Sequence, residues 1–256
     1  MSSDEPVAVL DAVAKRDGKP VAEHVEAFHK AVTSRIDSVN DVLWESWNRV
    51  FDIAEGTPPG EQDRLVEFMV RLKGFQEKDE DGESRVYETE NGKLWGDLPT
   101  FGWEARERWN FDVREPRMTQ EQLTRITNKT AFLARLTALS KEKDPFDFSL
   151  YALWALRDAF EEECPAGYDA EPAIRNAAVW IEYAGKMLWK LAVGNREFRD
   201  RLAIPGRKFA GKPWRGFTEE RWNVWRAGFE EVGSQAEAAE VEEAEGLKKQ
   251  GINQAS

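Results

Sequence analysis

The 256-residue chain contains one cysteine, Cys164, and two histidines, His24 and His29. A single cysteine excludes an internal disulfide and fits a reducing compartment. One thiol and two imidazoles are too few to build a Cys/His metal cluster, so no metal is expected; no cofactor is expected either. No apolar run reaches the roughly 18 residues that a membrane-crossing helix needs. The first residues, MSSDEPVAVLDAVAKRDGK, lack both a basic stretch and a long apolar stretch, so no secretory leader is expected. These absences point to a cytoplasmic protein without a membrane partner.

Motifs are missing too. There is no P-loop, no Gly-x-Gly-x-x-Gly, no Gly-x-Ser-x-Gly and no His-Glu-x-x-His. ATP hydrolysis, dinucleotide redox chemistry, serine-hydrolase chemistry and zinc peptidase chemistry all lose their sequence support. Strand signals are scarce: no Val/Ile alternation runs into an Asn-Gly or Asp-Gly turn.

What is present is helical spacing, tryptophan and charge. Eleven tryptophans and an apolar content of 41% are ample for a sizeable core. Helices are predicted as a pair over Glu23 to Ala54, then over Glu61 to Phe75 and from Thr100 to Asn110. A further helix runs from an N-cap at Thr119, with Gln122 in the capping-box position, to about Leu139. Others span Ser149 to Glu163, Asp169 to Ala192 and Thr218 to Val232. Gln76 to Glu90, charged and glycine-containing, reads as an exposed loop. The expectation is an all-α protein: a single globular multi-helix domain, residues 1–232, of about ten helices in antiparallel hairpins. An acidic tail, residues 233–256, helical in part or disordered, follows.

The net charge of −12 disfavours DNA and anionic membranes, but the charge is unevenly spread. Residues 195–215 carry seven Lys/Arg against two acids. There Arg196, Arg199, Arg207, Lys208, Lys212 and Arg215 are interleaved with Phe198, Phe209 and Trp214. Such a mixture suits a phosphate backbone with stacked bases, or else forms a solvated loop balancing the acidic tail.

The strongest chemical signal is SLYALWALRDAFEEE, residues 149–163. Asp158, Glu161 and Glu162 stand at i, i+3 and i+4, on one face of a helix. Glu161 to Glu163 fall where the helix dipole disfavours negative charge by roughly 0.3–1 kcal/mol each, which calls for a cationic partner or a site. Crowded carboxylates raise one another's pKa, as a general base or acid requires, and they also receive guanidinium groups. The plainer alternative is a solvated helix end with Arg157 paired to Glu161. Other candidates are Arg106, Trp109 and Asn110, in the Trp103-to-Asn110 segment, and Glu182 with Tyr183. For these the alternatives are surface ion pairs, a helix end and a satisfied core hydroxyl. His24 and His29 read as surface histidines.

Five stretches carry a resemblance: LWGDLPTFGWEARERWN (94–110), NKTAFLARLT (128–137), SLYALWALRDAFEE (149–162), AAVWIEYAGKMLW (177–189) and RWNVWRAGFEE (221–231). Over about Lys93 to Val232 the chain resembles a fungal family of helical domains of unknown function. These are found in secondary-metabolite gene clusters of the oxopyrrolidine type. The resemblance extends to arginine-containing cyclodipeptide synthases, which condense two aminoacyl-tRNAs into a cyclo-Arg-Xaa diketopiperazine. Their signature is Asp-Asp-x-x-Glu. Asp158 and Glu162 match its ends, while Ala159 stands in place of the second Asp. The resemblance implies catalysis at Asp158, Glu162 and Glu161, with aminoacyl-tRNA as partner. Under it, Arg106, Trp109, Asn110, Glu182 and Tyr183 would contact substrate and the 196–215 cations would hold tRNA. The alternatives are a non-catalytic helical accessory protein that binds a small molecule or protein, and a tRNA-independent enzyme acting on a small pathway intermediate.

Overall fold

Helix α1 (Glu5–Lys15) opens the computed structural model, which describes residues 5–78, 81–115, 117–141, 144–199 and 201–234. There follow α2 (Val21–Thr33), α3 (Val39–Gly56), α4 (Asp63–Lys73), α5 (Phe101–Trp109), α6 (Gln120–Ala138), α7 (Ser149–Phe160) and α8 (Glu171–Val193). The last described helix, α9, covers residues 219–234. The all-α expectation holds, with nine α-helices among the described residues. Helix α1 escaped the periodicity reading; it buries Leu10 and Val13 against α2, α3 and α4.

Local chemistry sets several boundaries. Thr119 and Gln122 form the reciprocal capping box expected of them, at 3.2 and 2.8 Å. Thr218 accepts a hydrogen bond from the backbone of Arg221 and starts α9. Pro58 and Pro59 separate α3 from α4.

The segment between α4 and α5 is not a plain loop. It contains two antiparallel hairpins, β1 (Glu77–Lys78) with β2 (Ser84–Arg85), and β3 (Glu88–Thr89) with β4 (Gly92–Lys93). Each strand has two residues, too short to leave an alternating pattern in the sequence. Tertiary contacts hold them instead: the Tyr87 hydroxyl donates to Glu77 Oε2 at 2.6 Å, and Tyr87 packs on His29 of α2.

One apolar core runs from Leu10 to Trp225. Helix α6 packs against α3 and α8, and α7 packs on α8. A smaller cluster, Val113, Ile126 and Ala173, lies beside the end of α7 and contacts Ala159. No helix among the described residues is long and apolar enough to cross a membrane. The acidic stretch 235–256 lies outside the described residues, as does the helix expected within it.

Candidate functional site

Helix α7 ends at Phe160, one residue before the glutamate run, and Glu161 is its C-cap. The three carboxylates grouped by helical spacing then part company. Glu161 is fully buried and turned toward α9. Arg221 grips it with two bonds, Nε to Oε1 at 2.7 Å and Nη2 to Oε2 at 2.9 Å. Trp225 Nε1 donates to Oε1 at 2.7 Å, and the Gly206 amide donates to Oε2 at 2.9 Å. The remaining Arg221 donors reach the carbonyls of Ala203, Gly216 and Ile204. All four donors to Glu161 are supplied by the protein, so this carboxylate is a tie between α7, the basic segment and α9. The expected Arg157–Glu161 pair does not form. Arg157 Nε lies 3.7 Å from Asp158 Oδ1 instead.

Asp158 and Glu162 stay near the surface, with side chains 41% and 25% exposed. Burial nevertheless pushes the Asp158 carboxyl above the usual carboxylate range. Arg157 and Arg114 oppose the shift, and Asp112 and Glu162 add to it. Arg114 is held by a bidentate pair to Asp112, at 2.9 Å for both bonds. The result is a cluster of three acids, Asp112, Asp158 and Glu162, met by three guanidinium groups, with Arg207 Nε 3.8 Å from Glu162 Oε2. Ala159, where the resemblance implies a second Asp, packs between the main core and the Val113 cluster. A carboxylate there would meet apolar neighbours, which explains the alanine physically.

The basic segment folds back onto this end of α7. The Arg207 amide donates to Glu162 Oε2 at 3.3 Å, and the Lys208 amide donates to the Glu161 carbonyl at 3.0 Å. Gly206 permits the approach, since a Cβ there would lie 2.5 Å from the Glu161 carbonyl oxygen. Arg199, Arg207, Lys208 and Arg215 are exposed. Lys212 pairs with Glu220 at 2.5 Å, and Arg196 lies 3.5 Å from Asp147 and over the Phe198 ring.

The other candidates scatter. Trp109 stacks on Tyr151 at 5.0 Å and meets Trp180 edge-on, so it is an aromatic core element. Asn110 is the C-cap of α5. Arg106 points outward, whereas Arg108, two residues on, turns inward to Glu104, Asp52 and Glu55. Glu55 is also reached by Arg125 and Lys129, which makes a buried charge network tying α3, α5 and α6. Glu182 and Tyr183 line a cleft of about 460 Å³ together with Arg135, whose guanidinium lies 4.5 Å above the Tyr183 ring. Tyr183 is therefore half-buried at the surface and not a core hydroxyl.

Both histidines are buried, against expectation, at 4% and 3% exposure. His24 bonds the Pro20 carbonyl and Asp17. His29 sits in a cleft of about 270 Å³ with Phe75, Glu77, Tyr87 and Trp95. Trp95 Nε1, a donor only, bonds His29 Nδ1 at 3.0 Å, which places the neutral imidazole's proton on Nε2. Nε2 lies 3.4 Å from Glu77 Oε2. Burial holds the His29 pKa below its ordinary value of 6.5, against the opposing pull of Glu77. The sequence could not disclose this site, because its walls come from the hairpin segment that periodicity reads as loop. Among the described residues, no group of three or more His, Cys, Asp and Glu side chains converges as a metal-binding set.

No curated protein and no solved structure matches the chain. A family model described as "Protein of unknown function (DUF3632)" matches residues 47–229. That span runs from within α3 to within α9. It takes in Asp158, Glu162, the basic segment and Arg221, and leaves out α1, α2 and His29. The chain therefore belongs to the DUF3632 family.

Proposed function

We propose that the chain is an aminoacyl-tRNA-dependent enzyme of secondary metabolism that forms an arginine-containing cyclodipeptide, with Asp158 and Glu162 at the reacting centre. One observation carries this reading. The cation-rich segment 196–215 lies directly against the carboxylate end of α7, although 45 residues separate Arg207 from Glu162. Chemistry on a charged tRNA end requires an acid–base pair beside a phosphate-binding surface, and the contact between Arg207 and Glu162 supports that pairing of roles.

The reaction draws no energy from ATP, because each aminoacyl ester is already activated. The free α-amine of one aminoacyl group attacks the ester carbonyl of the other. A C–N bond forms, the ester C–O bond breaks, and the tRNA ribose oxygen leaves. A second attack, by the amine of the dipeptidyl ester on its own ester carbonyl, closes the ring and releases the second tRNA. Each step moves one proton from the attacking amine to a leaving ribose oxygen. Asp158, with its raised pKa, suits that transfer. Glu162 suits the guanidinium of the arginyl group. With Ala159 in place of a third carboxylate, the proton and guanidinium roles rest on these two side chains.

The test is production in a heterologous host followed by mass spectrometry for an arginine-containing diketopiperazine, then reconstitution with charged tRNA. Asp158→Ala and Glu162→Gln should abolish product while circular dichroism remains unchanged. Absence of product from the wild-type chain, or undiminished product from both variants, would overturn the reading. RNA retention should fall with salt; at about −0.7 per phosphate in log–log slope, four exposed cations give roughly −3.

A further inference from the structure

Two tryptophans are left in water, one on each wall of a single groove. Trp44 on α3 is 61% exposed and Trp103 on α5 is 66% exposed, in a chain whose Trp47, Trp180 and Trp225 are wholly buried. The groove, about 570 Å³, follows helical spacing on both sides. On α3, Asp41, Trp44 and Trp47 recur at i, i+3 and i+6; on α5, Trp103, Arg106 and Glu107 recur at i, i+3 and i+4. Trp47 is the fixed floor, its Nε1 bonded to the Pro99 carbonyl at 2.8 Å.

The charges along the groove differ in how they are engaged. Glu104 is committed to Arg108 at 2.8 Å. Asp41, Glu107 and Arg106 are exposed and have no ion pair among the described residues, whereas Arg108 takes Asp52, Glu55 and Glu104. Two carboxylates and one guanidinium without ion-pair partners therefore line the groove, a net charge of −1, beside two exposed indole faces. Thr100, which also lines the groove, holds φ at 65° and has a buried Oγ1 with no hydrogen-bond partner. For a β-branched residue the left-handed conformation is strained.

We propose that this groove binds a small-molecule organic cation bearing an alkylammonium or guanidinium head. The indole faces attract a cation through their quadrupoles. Asp41 and Glu107 supply the counter-charge, and they repel phosphate and carboxylate ligands. A neutral apolar ligand would use the rings but gain nothing from the acids.

Three probes of one shape and different charge decide it: tetramethylammonium, tert-butanol and pivalate, with methylguanidinium as a fourth. Binding to the full chain is read by saturation-transfer NMR and calorimetry. One or both cations should bind while the neutral and anionic probes do not, and whichever binds identifies the head. Trp44→Ala and Trp103→Ala should each weaken the cation by roughly tenfold, and Asp41→Asn by a smaller factor. All three positions are exposed, so the variants keep the fold, which circular dichroism verifies. The proposal is overturned by binding of neither cation, by equal binding of tert-butanol or pivalate, or by unchanged affinity in the folded variants.

Discussion

Glu161 and Arg221, 60 residues apart in the chain, form a bidentate ion pair with no exposed side-chain surface on either partner. The pair fixes the segment between α8 and α9 against the end of α7. It therefore sets where the exposed cations lie relative to Asp158 and Glu162. It also resolves the electrostatic oddity of a glutamate at a helix C-terminus, because a guanidinium, an indole N–H and a backbone N–H all point at it.

Removing one partner leaves the other buried and uncompensated, at a cost of about 3–5 kcal/mol. Glu161→Gln and Arg221→Met should each lower the unfolding free energy, read by urea titration, by that amount. The double variant Glu161→Met/Arg221→Met should lose much less than the sum of the single losses, because two apolar side chains leave no stranded charge. Additive losses in equilibrium unfolding would show that the pair is not coupled as described.

Gly206 and Gly211 form a controlled comparison within one segment. A Cβ on Gly206 would press into the backbone of Glu161, whereas one on Gly211 meets nothing within 4 Å. Gly206→Ala should destabilise by about 1–3 kcal/mol, as overpacking does. It should also weaken RNA retention by displacing the cations from the carboxylates. Gly211→Ala should change neither. Equal behaviour of the two variants in unfolding and in salt-dependent RNA binding would contradict the close approach.

Asp158 gives a pH signature. Its carboxyl is pushed above the ordinary 3.8 in the folded chain, chiefly by burial. Between 3.8 and the raised value the folded state holds the proton and the unfolded state has released it, so stability falls as pH rises through that window. Asp158→Asn removes this contribution. At neutral pH the variant should be at least as stable as the wild type while losing activity. A less stable Asp158→Asn protein, measured by denaturant titration at several pH values, would refute the shift.

His29 has the opposite linkage. Its folded pKa lies below 6.5, so as pH drops through 6.5 the unfolded chain takes up the proton first and stability is lost. Protonation also places hydrogen on Nδ1, where the Trp95 indole donates. Glu77, the nearest acid, opposes the loss, while Arg85 and Lys30 add to it. His29→Gln should flatten the stability profile between about pH 7 and about pH 5. NMR titration of the imidazole in the wild type should give a value under 6.5. A higher value would overturn the lowering by burial.

The all-α class, most helix spans and the Thr119 capping box were legible because they rest on local periodicity and capping chemistry, which a linear sequence carries in full. The same local logic placed Asp158, Glu161 and Glu162 on one face, and it assigned Arg106 and Arg108 to one motif. It could not separate them, because their separation depends on what lies opposite each side chain. The two hairpins were missed for a related reason: strands of two residues are held by their neighbours, not by their own pattern.

By itself the sequence determined a tryptophan-rich helical protein with a basic segment, a carboxylate cluster and no recognisable cofactor motif. Only the tertiary structure decided which carboxylate is a buried tie and which two keep part of their surface in solvent, that both histidines are buried, and that the basic segment meets the end of α7. These outcomes depend on contacts between residues 45 to 66 positions apart, such as Arg207 with Glu162 and Trp95 with His29. Such contacts form when separate helices share one core, and no helical or strand period records them.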